Sequence, residues 1–421
     1  MVFIERSYQS LKRDGFFSYI VTNKFVSTDY GVKLRELILK NTQLKELLDV
    51  SHIEVFKGIA TYPIIIIFKK IPKFGRVTIG INITDESQIS TKAFEKIYIP
   101  QNKFLKTPSY IFDISGNLML CEEIRSNKFS KPLGEICDFY YRILGFTNWV
   151  NILKFVVKEK PKGEHLKFIG TANVTPFIVN PNIPLRVAGN EFKNCYLKFS
   201  SLFSRKAWNI FKKEKLLIKE VAKVLTTAYD KGEYANLTGM YMIIPKIKIP
   251  FFYLLGLLNS KLLNFYFSSL YSTTHMAGGY LRFNGSYLKE LPIYISKTEK
   301  EILVIKRVSE YIYTLKFMVT SETIKKENTL IQLIRELKKL LDIFVYELYF
   351  KEKFEQDGIK TNLLELVEPY LKDISNLNSD KQKLQTIKKV VEKIKNDKKI
   401  MEQIEKIKSH PWVRVIEGEE R

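Results

Sequence analysis

A polar, glycine-containing segment, residues 272–283, carries side chains suited to binding nucleic acid. Its hydroxyl and imidazole groups can donate hydrogen bonds to phosphates or base edges. Its glycines let the backbone approach a partner closely, and its arginine can contact O6 and N7 of a guanine together. The pattern predicts a DNA-facing loop; the alternative is a structural turn with a solvated or salt-bridged Arg282. The candidate DNA-binding residues of this loop are Thr274, His275, Gly278, Gly279 and Arg282.

The charge balance also favours a polyanionic partner. The chain has 68 Lys and Arg against 45 Asp and Glu, a formal net charge of +23 over 421 residues, and a basic surplus of this size attracts nucleic acid. A lysine-rich genome would produce the same surplus without any such partner. The candidate phosphate contacts are Arg186, Lys219, Lys223 and Lys261.

The sequence gives no sign of a metal site, a disulfide framework or a membrane anchor. Its three cysteines are few and scattered, and its four histidines lack metal-ligand spacing. The strongest apolar run, residues 63–68, is far shorter than the roughly 18 residues of a membrane span. We therefore expect a cytoplasmic protein with reduced thiols, no metal and no membrane partner.

Residues 1–110 show the pattern of an incomplete α/β domain. Residues 16–21 and 64–68 read as buried strands, and a helix is predicted between them. The order resembles the second half of a doubly wound sheet. Because ligands of such sheets lie beyond the carboxyl ends of strands, Asn23 and Lys24 are expected to face an active-site cleft. Alternatively, Asn23 caps a turn.

The rest of the chain divides in two. Residues 111–295 hold short strands, turns and interleaved basic and aromatic residues, which predicts an α+β domain. Residues 296–421 are almost entirely helical in pattern. Apolar residues between Leu330 and Leu348 step by four and three, which favours a coiled-coil-like segment.

Several blocks together resemble the TaqI-like class of N6-adenine DNA methyltransferases, including type IIG enzymes that fuse methylation to cleavage. Each block alone is weak, but their order along the chain is that of the family. The blocks are GFFSYIVTNKF at 15–25, VFKGIATY at 55–62, KPLGEI at 131–136, FIGTANV at 168–174, LLGLLNSK at 254–261, and GGYLRF at 278–283 with LKELP at 288–292.

The resemblance implies a role for each segment. Residues 1–110 would end a methyltransferase domain and 111–295 would form its target-recognition domain, while the helical segment 296–421 follows the last of these blocks. Such an enzyme must flip the target adenine out of the duplex and hold it. Phe56 matches the aromatic residue that stacks on that base in the family; the alternative is a phenylalanine of the core.

Two parts of the family pattern do not occur in the sequence. The family binds S-adenosylmethionine through a glycine-containing loop and places the adenine with an Asn-Pro-Pro-Tyr or Asn-Pro-Pro-Phe tetrapeptide, and neither is present. No catalytic set is therefore complete. We expect no tight cofactor binding and no methylation by this chain alone, so that it is a truncated product or works with an N-terminal methyltransferase or restriction–modification partner chain.

The sequence thus predicts the recognition part of an adenine-specific DNA methyltransferase whose partner is double-stranded DNA. One alternative is a stand-alone DNA-binding specificity subunit. Another is a coiled-coil interaction protein whose basic charge reflects only genome composition.

Overall fold

The computed structural model describes residues 1–56, 61–145, 149–187, 189–321 and 328–419. It divides the chain into two compact units. The first comprises Met1–Ser126 and Tyr266–Arg282, and the second comprises Asn127–Phe265 and Phe283–Arg421. The predicted boundaries after residues 110 and 295 do not coincide with the limits of these units.

The strands are short, apart from those at the start of the chain. In chain order they are β1 (Phe16–Thr22), β2 (Gln43–Asp49), β3 (Pro63–Lys69), β4 (Arg76–Ile81), β5 (Glu95–Pro100), β6 (Ser130–Pro132), β7 (Cys137–Tyr140), β8 (Val156–Val157), β9 (His165–Phe168), β10 (Phe177–Ile178), β11 (Leu185–Val187), β12 (Asn190–Phe192), β13 (Tyr196–Lys198), β14 (Lys215–Lys219), β15 (Val221–Ala222), β16 (Thr227–Asp230), β17 (Tyr234–Ala235), β18 (Met240–Pro245), β19 (His275–Met276), β20 (Tyr280–Arg282) and β21 (Pro292–Tyr294).

The long helices lie toward the C-terminal end. In chain order the helices are α1 (Val2–Ser10), α2 (Val32–Asn41), α3 (Glu86–Thr91), α4 (Leu118–Ser126), α5 (Leu133–Ile136), α6 (Trp149–Leu153), α7 (Arg205–Phe211), α8 (Phe251–Leu258), α9 (Lys261–Leu270), α10 (Gly285–Lys289), α11 (Glu299–Thr320), α12 (Asn328–Gln356), α13 (Leu363–Val367), α14 (Asp380–Asn396), α15 (Lys398–Ser409) and α16 (Pro411–Glu417).

The first unit is built on a mixed five-stranded sheet of order β1-β3-β2-β4-β5. Only β2 and β4 are parallel neighbours; the other adjacent pairs are antiparallel. The predicted α/β character is therefore present, and the sheet as described is mixed rather than mostly parallel. Strand β3 returns antiparallel between β1 and β2, which a count of elements along the sequence does not reveal.

The β-branched run in β3 forms an interior strand of this sheet, between β1 and β2, as such residues favour strands. Ile64, Ile66 and Phe68 are fully buried on one face, while Ile65 packs against a small cluster on the other. At the edge, β1 exposes 65% of Phe16 and 41% of Tyr19. The sheet thus has a covered interior strand beside an apolar, exposed edge strand.

The second unit contains a sheet of order β10-β16-β14-β18-β7 and a smaller one of order β17-β9-β13-β8. Their shared core is built around Trp208 and Phe211 of α7. The buried ammonium of Lys215 pairs with the carboxylate of Asp230 at 2.5 Å, and both side chains are fully buried. These two residues also lie opposite each other in the β14–β16 register.

The C-terminal region is helical, as expected. Helix α12 buries its apolar stripe and packs against α11, α13 and α15, so the stripe belongs to a multi-helix core. Two buried carboxylates of α12 accept hydrogen bonds from the N-termini of other helices: Glu347 from the amides of Leu363 and Leu364 at 2.7 and 2.8 Å, and Asp342 from the amide of Lys261 at 2.8 Å. No helix among the described residues is long and apolar enough to cross a membrane.

Candidate nucleic-acid interface

The carboxyl ends of β1 and β2 lie at one edge of the first sheet, because both strands run antiparallel to the β3 strand between them. Asn23 follows β1 and Asp49 ends β2. The side-chain amide of Asn23 donates to the Ser51 hydroxyl at 3.4 Å, and the amide of Ser51 donates to the Asp49 carboxylate at 3.1 Å. Polar groups from two parallel strands thus meet at the edge where α/β sheets bind ligands.

Asn23 is buried at this edge, with 6% of its surface exposed. Its backbone amide donates to the carbonyl of Tyr62 at 2.8 Å. Its side-chain Oδ1 has no hydrogen-bond partner among the described residues. Since a buried acceptor without a donor costs free energy, this oxygen is suited to accept a hydrogen bond from a ligand.

Lys24 connects this edge to the distant segment 272–274. Its Nζ donates a hydrogen bond to the carbonyl oxygen of Thr273 and lies 5.3 Å from the ring centroid of Tyr62. Burial lowers the pKa of Lys24 below its ordinary value. The hydroxyls of Ser27 and Thr273 also form a hydrogen bond with each other. The side chains of Lys24 and Ser27 therefore both hold the turn at Thr273.

A buried arginine that the sequence analysis missed supports this segment. The Arg35 guanidinium donates to the carbonyls of Phe25, Thr28 and Ser109, the last two at 2.9 and 2.8 Å. A Cβ on Gly31 would lie 2.2 Å from the Phe25 carbonyl oxygen, so only glycine fits there. The sequence contains only a weak sign that Arg35 is buried: it directly follows the apolar Leu34 in an otherwise amphipathic helix.

The predicted DNA-facing loop forms a short hairpin in the first unit. Strands β19 and β20 pair antiparallel, with Met276 opposite Tyr280, and Gly278 and Gly279 take left-handed φ angles of 78° and 75°. Arg282 is exposed at the end of β20.

The other singled-out residues of this loop differ in their surroundings. Thr274 is buried, and its hydroxyl donates to the Tyr271 carbonyl at 2.8 Å. It therefore holds the turn rather than facing solvent. The side chain of His275 lies outside what the structure describes.

Phe56 lies in the connection between β2 and β3, immediately before residues 57–60, which fall outside the described residues. Its side chain is 44% exposed. It is therefore not a phenylalanine of the core, and its ring is accessible to a ligand.

The four candidate phosphate contacts all belong to the second unit. Arg186 is exposed and pairs with Glu191 at 2.9 Å, and Lys261 pairs with Glu417. Burial lowers the pKa of Lys219, while Lys223 is exposed. Exposed ion pairs are weak, so a phosphate can replace either carboxylate partner.

No strand of the five-stranded sheet in the first unit is followed by a glycine-rich turn within the described ranges, and such a turn is what cradles a nucleotide-like cofactor. The described residues also contain no group of three or more His, Cys, Asp and Glu side chains that could hold a metal ion. Cys121, Cys137 and Cys195 are buried free thiols.

Two protein families match separate parts of the chain. Residues 172–293 match the TaqI-like C-terminal specificity domain. Residues 1–56 match the Eco57I restriction-modification methylase family. The second match covers β1, Asn23 and Lys24 and ends at Phe56.

Curated relatives give the same picture. The type II restriction enzyme and methyltransferase RM.Eco57I of Escherichia coli is 31% identical over 109 residues, 26% of this chain and 10% of the relative. The putative type II restriction enzyme and methyltransferase RM.MjaORFECS2P of Methanocaldococcus jannaschii is 22% identical over 373 residues, 85% of this chain and 29% of the relative. The chain thus spans less than a third of the length of either relative.

Two solved structures are also similar. The type IIG restriction endonuclease BpuSI has a TM-score of 0.34 at 10% identity, over 83% of this chain and 49% of that one. The type IIL restriction-modification enzyme MmeI, solved with DNA, has a TM-score of 0.46 at 12% identity, over 93% and 51%. The two family matches confirm the resemblance read from the sequence: separate parts of this chain are similar to the TaqI-like C-terminal specificity domain and to the Eco57I restriction-modification methylase family.

Proposed function

We propose that this chain provides sequence-specific DNA recognition for an adenine-specific, N6-directed DNA methyltransferase of a restriction–modification system. The observation that carries the proposal is the TaqI-like specificity domain at residues 172–293. The exposed Arg282 within it and the net charge of +23 supply the cations that a DNA site needs. In this proposal Arg282 of the hairpin contacts base edges. The residues that contact phosphates are Arg186, Lys219, Lys223 and Lys261.

The target adenine is held, in this proposal, at the carboxyl edge of β1 and β2. Phe56 offers an exposed ring, and base–aromatic stacking contributes roughly 1–3 kcal/mol whatever the base. Asn23 offers a buried acceptor without a partner among the described residues, which suits an amino group. Lys24 is the positioning residue that ties this edge to the hairpin.

Methyl transfer requires a methyltransferase half that carries the glycine loop and the tetrapeptide. S-adenosylmethionine would supply the methyl group there. We place that half beside β1, which among the described strands pairs only with β3 and exposes Phe16, Tyr19 and Ile20. Parallel strands added beside β1 would extend this mixed sheet toward the doubly wound arrangement and would cover an apolar edge that favours association. The chain alone is accordingly expected to be oligomeric or poorly soluble.

One structural observation speaks against the coiled-coil alternative. The apolar stripe of α12 is already buried inside the helical cluster, with Leu337 and Leu341 each 1% exposed. A partner helix would have to displace this core. The helices of the C-terminal region therefore stabilise the second unit rather than offer a free coiled-coil seam.

The test is duplex binding by the purified chain, measured by fluorescence anisotropy with a random-sequence DNA pool over a salt series. Several phosphate contacts should make the affinity fall at least about tenfold between roughly 50 and 200 mM salt. Titration calorimetry with S-adenosylmethionine should show no tight binding until a methyltransferase half is added. Salt-independent binding, or no binding at low salt, would contradict the DNA function; methylation by the isolated chain would contradict the need for a second half.

A further inference from the structure

We propose that the β19–β20 hairpin is a wedge that inserts Met276 and Tyr280 into the base stack of duplex DNA next to the flipped target base. The inference rests on the proposed function and adds to it the group that fills the space the base leaves. It is carried by three properties of the hairpin: its exposed apolar tip, its rigid base and its position.

The tip presents two large apolar side chains side by side. Met276 and Tyr280 are directly opposite in the register and are 44% and 42% exposed. Gly278 and Gly279 between them have left-handed φ angles, and a Cβ on Gly279 would have no neighbour within 4 Å, so the space around the tip is open there. Proteins that kink or open DNA insert side chains of this kind between base steps.

The residues that precede β19 are held by several hydrogen bonds. A side chain that separates stacked DNA bases needs such a rigid attachment, because a mobile hairpin would move aside instead. The Thr273 carbonyl accepts from Lys24, and its hydroxyl bonds to Ser27. The next residue, Thr274, bonds back to the Tyr271 carbonyl. The segment that holds Thr273 is itself fixed by Arg35, which donates to two of its carbonyls.

The position of the hairpin links the wedge to the target base. Lys24, which holds the turn before β19, directly follows Asn23 at the carboxyl edge of the sheet. A hairpin tied to this edge is placed to act on DNA beside the base that the edge receives. Tyr280 and Arg282 are exposed on one face of β20 while Leu281 between them is buried, so a cation for phosphate or base contact accompanies the wedge.

The competing explanation is that Met276 and Tyr280 are a cross-strand pair that only stabilises the hairpin. DNA that already lacks one stacked base distinguishes this explanation from the wedge. The probe is a random-sequence duplex pool, either intact or carrying one central abasic site opposite thymine. Because a wedge no longer has to unstack a base there, the full chain should bind the abasic pool about tenfold more tightly than the intact pool.

Three variants make the test specific. Met276→Ala combined with Tyr280→Ala should reduce the preference to about twofold or less and keep salt-dependent binding to the intact pool. Met276→Leu combined with Tyr280→Phe should retain the preference, because the apolar bulk remains. Tyr98→Ala is the matched control, since Tyr98 is a 52% exposed tyrosine on β5 of the same unit, and it should behave as the unmodified chain.

The outcomes separate the wedge from the proposed function. An unmodified chain that binds both pools equally, or an alanine pair that keeps the preference, would overturn the wedge and leave DNA recognition intact. A chain that binds neither pool at low salt would overturn the proposed function and the wedge with it.

Discussion

The ammonium group of Lys24 donates a hydrogen bond to the backbone carbonyl of Thr273, which lies 249 residues further along the chain. This contact joins the end of β1 to the turn that begins the candidate recognition hairpin. It makes the edge that we assign to the target base and the loop that we assign to base readout parts of the same unit.

The first prediction is that Lys24→Gln loosens the hairpin without unfolding the first unit. Removing a hydrogen bond from a partly buried ammonium should lower the local opening free energy by about 1–2 kcal/mol. Amide hydrogen exchange in residues 275–282 should therefore become roughly tenfold faster. Lys33→Gln, at an exposed lysine of α2, is the control. Unchanged exchange in the hairpin would mean that Lys24 does not anchor it.

The second prediction concerns the buried Lys215–Asp230 pair. Asp230→Asn leaves a fully buried ammonium without its carboxylate, and breaking such a pair costs about 3–5 kcal/mol. Adding Lys215→Met removes the stranded charge, so the double variant should recover much of the loss. Urea denaturation measures both free energies of unfolding.

The control for that pair is Glu405→Gln, which breaks the exposed Lys408–Glu405 ion pair. Exposed pairs contribute at most about 1 kcal/mol, so this variant should stay close to the unmodified chain. The amide oxygen introduced by Asp230→Asn can still accept from the amides of Gly232 and Glu233, so a double variant no more stable than Asp230→Asn would show that the stranded ammonium is not the source of the cost.

The third prediction is a pH dependence of stability that comes from Asp342. Burial raises its pKa from 3.8 to about 7 in the folded chain. Between these values the folded state binds more protons than the unfolded state. The contribution of Asp342 to stability is therefore greatest below about pH 4 and decreases as the pH rises to about 7.

Asp342→Asn isolates this contribution. The amide oxygen can still accept from the Lys261 backbone but cannot ionise. Relative to the unmodified chain, the variant should gain stability as the pH is raised from 5 to 8, on the order of a few kcal/mol. Glu355→Gln, an exposed position on the same helix, should give a curve parallel to that of the unmodified chain. Parallel curves for Asp342→Asn as well would show that Asp342 does not titrate with a raised pKa.

The local elements of the fold were predictable from the sequence. Strands expected at 16–21 and 64–68 are observed at Phe16–Thr22 and Pro63–Lys69, because β-branched and aromatic runs favour buried strands wherever they pair. The stripe along α12 is buried as its spacing predicts. These strands and this helix depend mainly on residues close together in the chain, so a local sequence pattern is enough to predict them.

The partners of these elements were not predictable in the same way. Hydrophobic periodicity reports which face is buried but not which strand lies alongside, so the antiparallel insertion of β3 between β1 and β2 was missed. The attachment of the hairpin to Lys24 has no local signal either. The predicted boundary at residue 110 separates Phe56 from Arg282, whereas both belong to the first compact unit, so additive effects of these two residues cannot be assumed.

The fourth prediction separates base readout from phosphate contact. If Arg282 contacts a guanine edge, Arg282→Ala should cost about 1–3 kcal/mol on the preferred site and relax specificity at one position. Lys223→Ala should weaken binding to all sequences alike and reduce the salt slope by about 1. The measurement is selection of binding sites from a random duplex pool, followed by salt titration. Equal effects of Arg282→Ala on preferred and random DNA would show that Arg282 contacts only phosphate.

The fifth prediction tests the stacking role of Phe56 in the enzyme assembled with its methyltransferase half. Stacking holds any base, so Phe56→Ala should lower the rate of methylation and leave sequence preference unchanged. With 2-aminopurine at the target position, the extruded base should become brighter in the variant, because the ring that quenches it is gone. Since Phe56 is 44% exposed, Phe56→Ala should barely change the free energy of unfolding. Phe68→Ala, in the buried core, should lower it by about 3–5 kcal/mol.

The control is Phe74→Ala, at a 53% exposed phenylalanine of the same unit, which should change neither the methylation rate nor the brightness. If Phe56→Ala matches that control, the target base is held by another group.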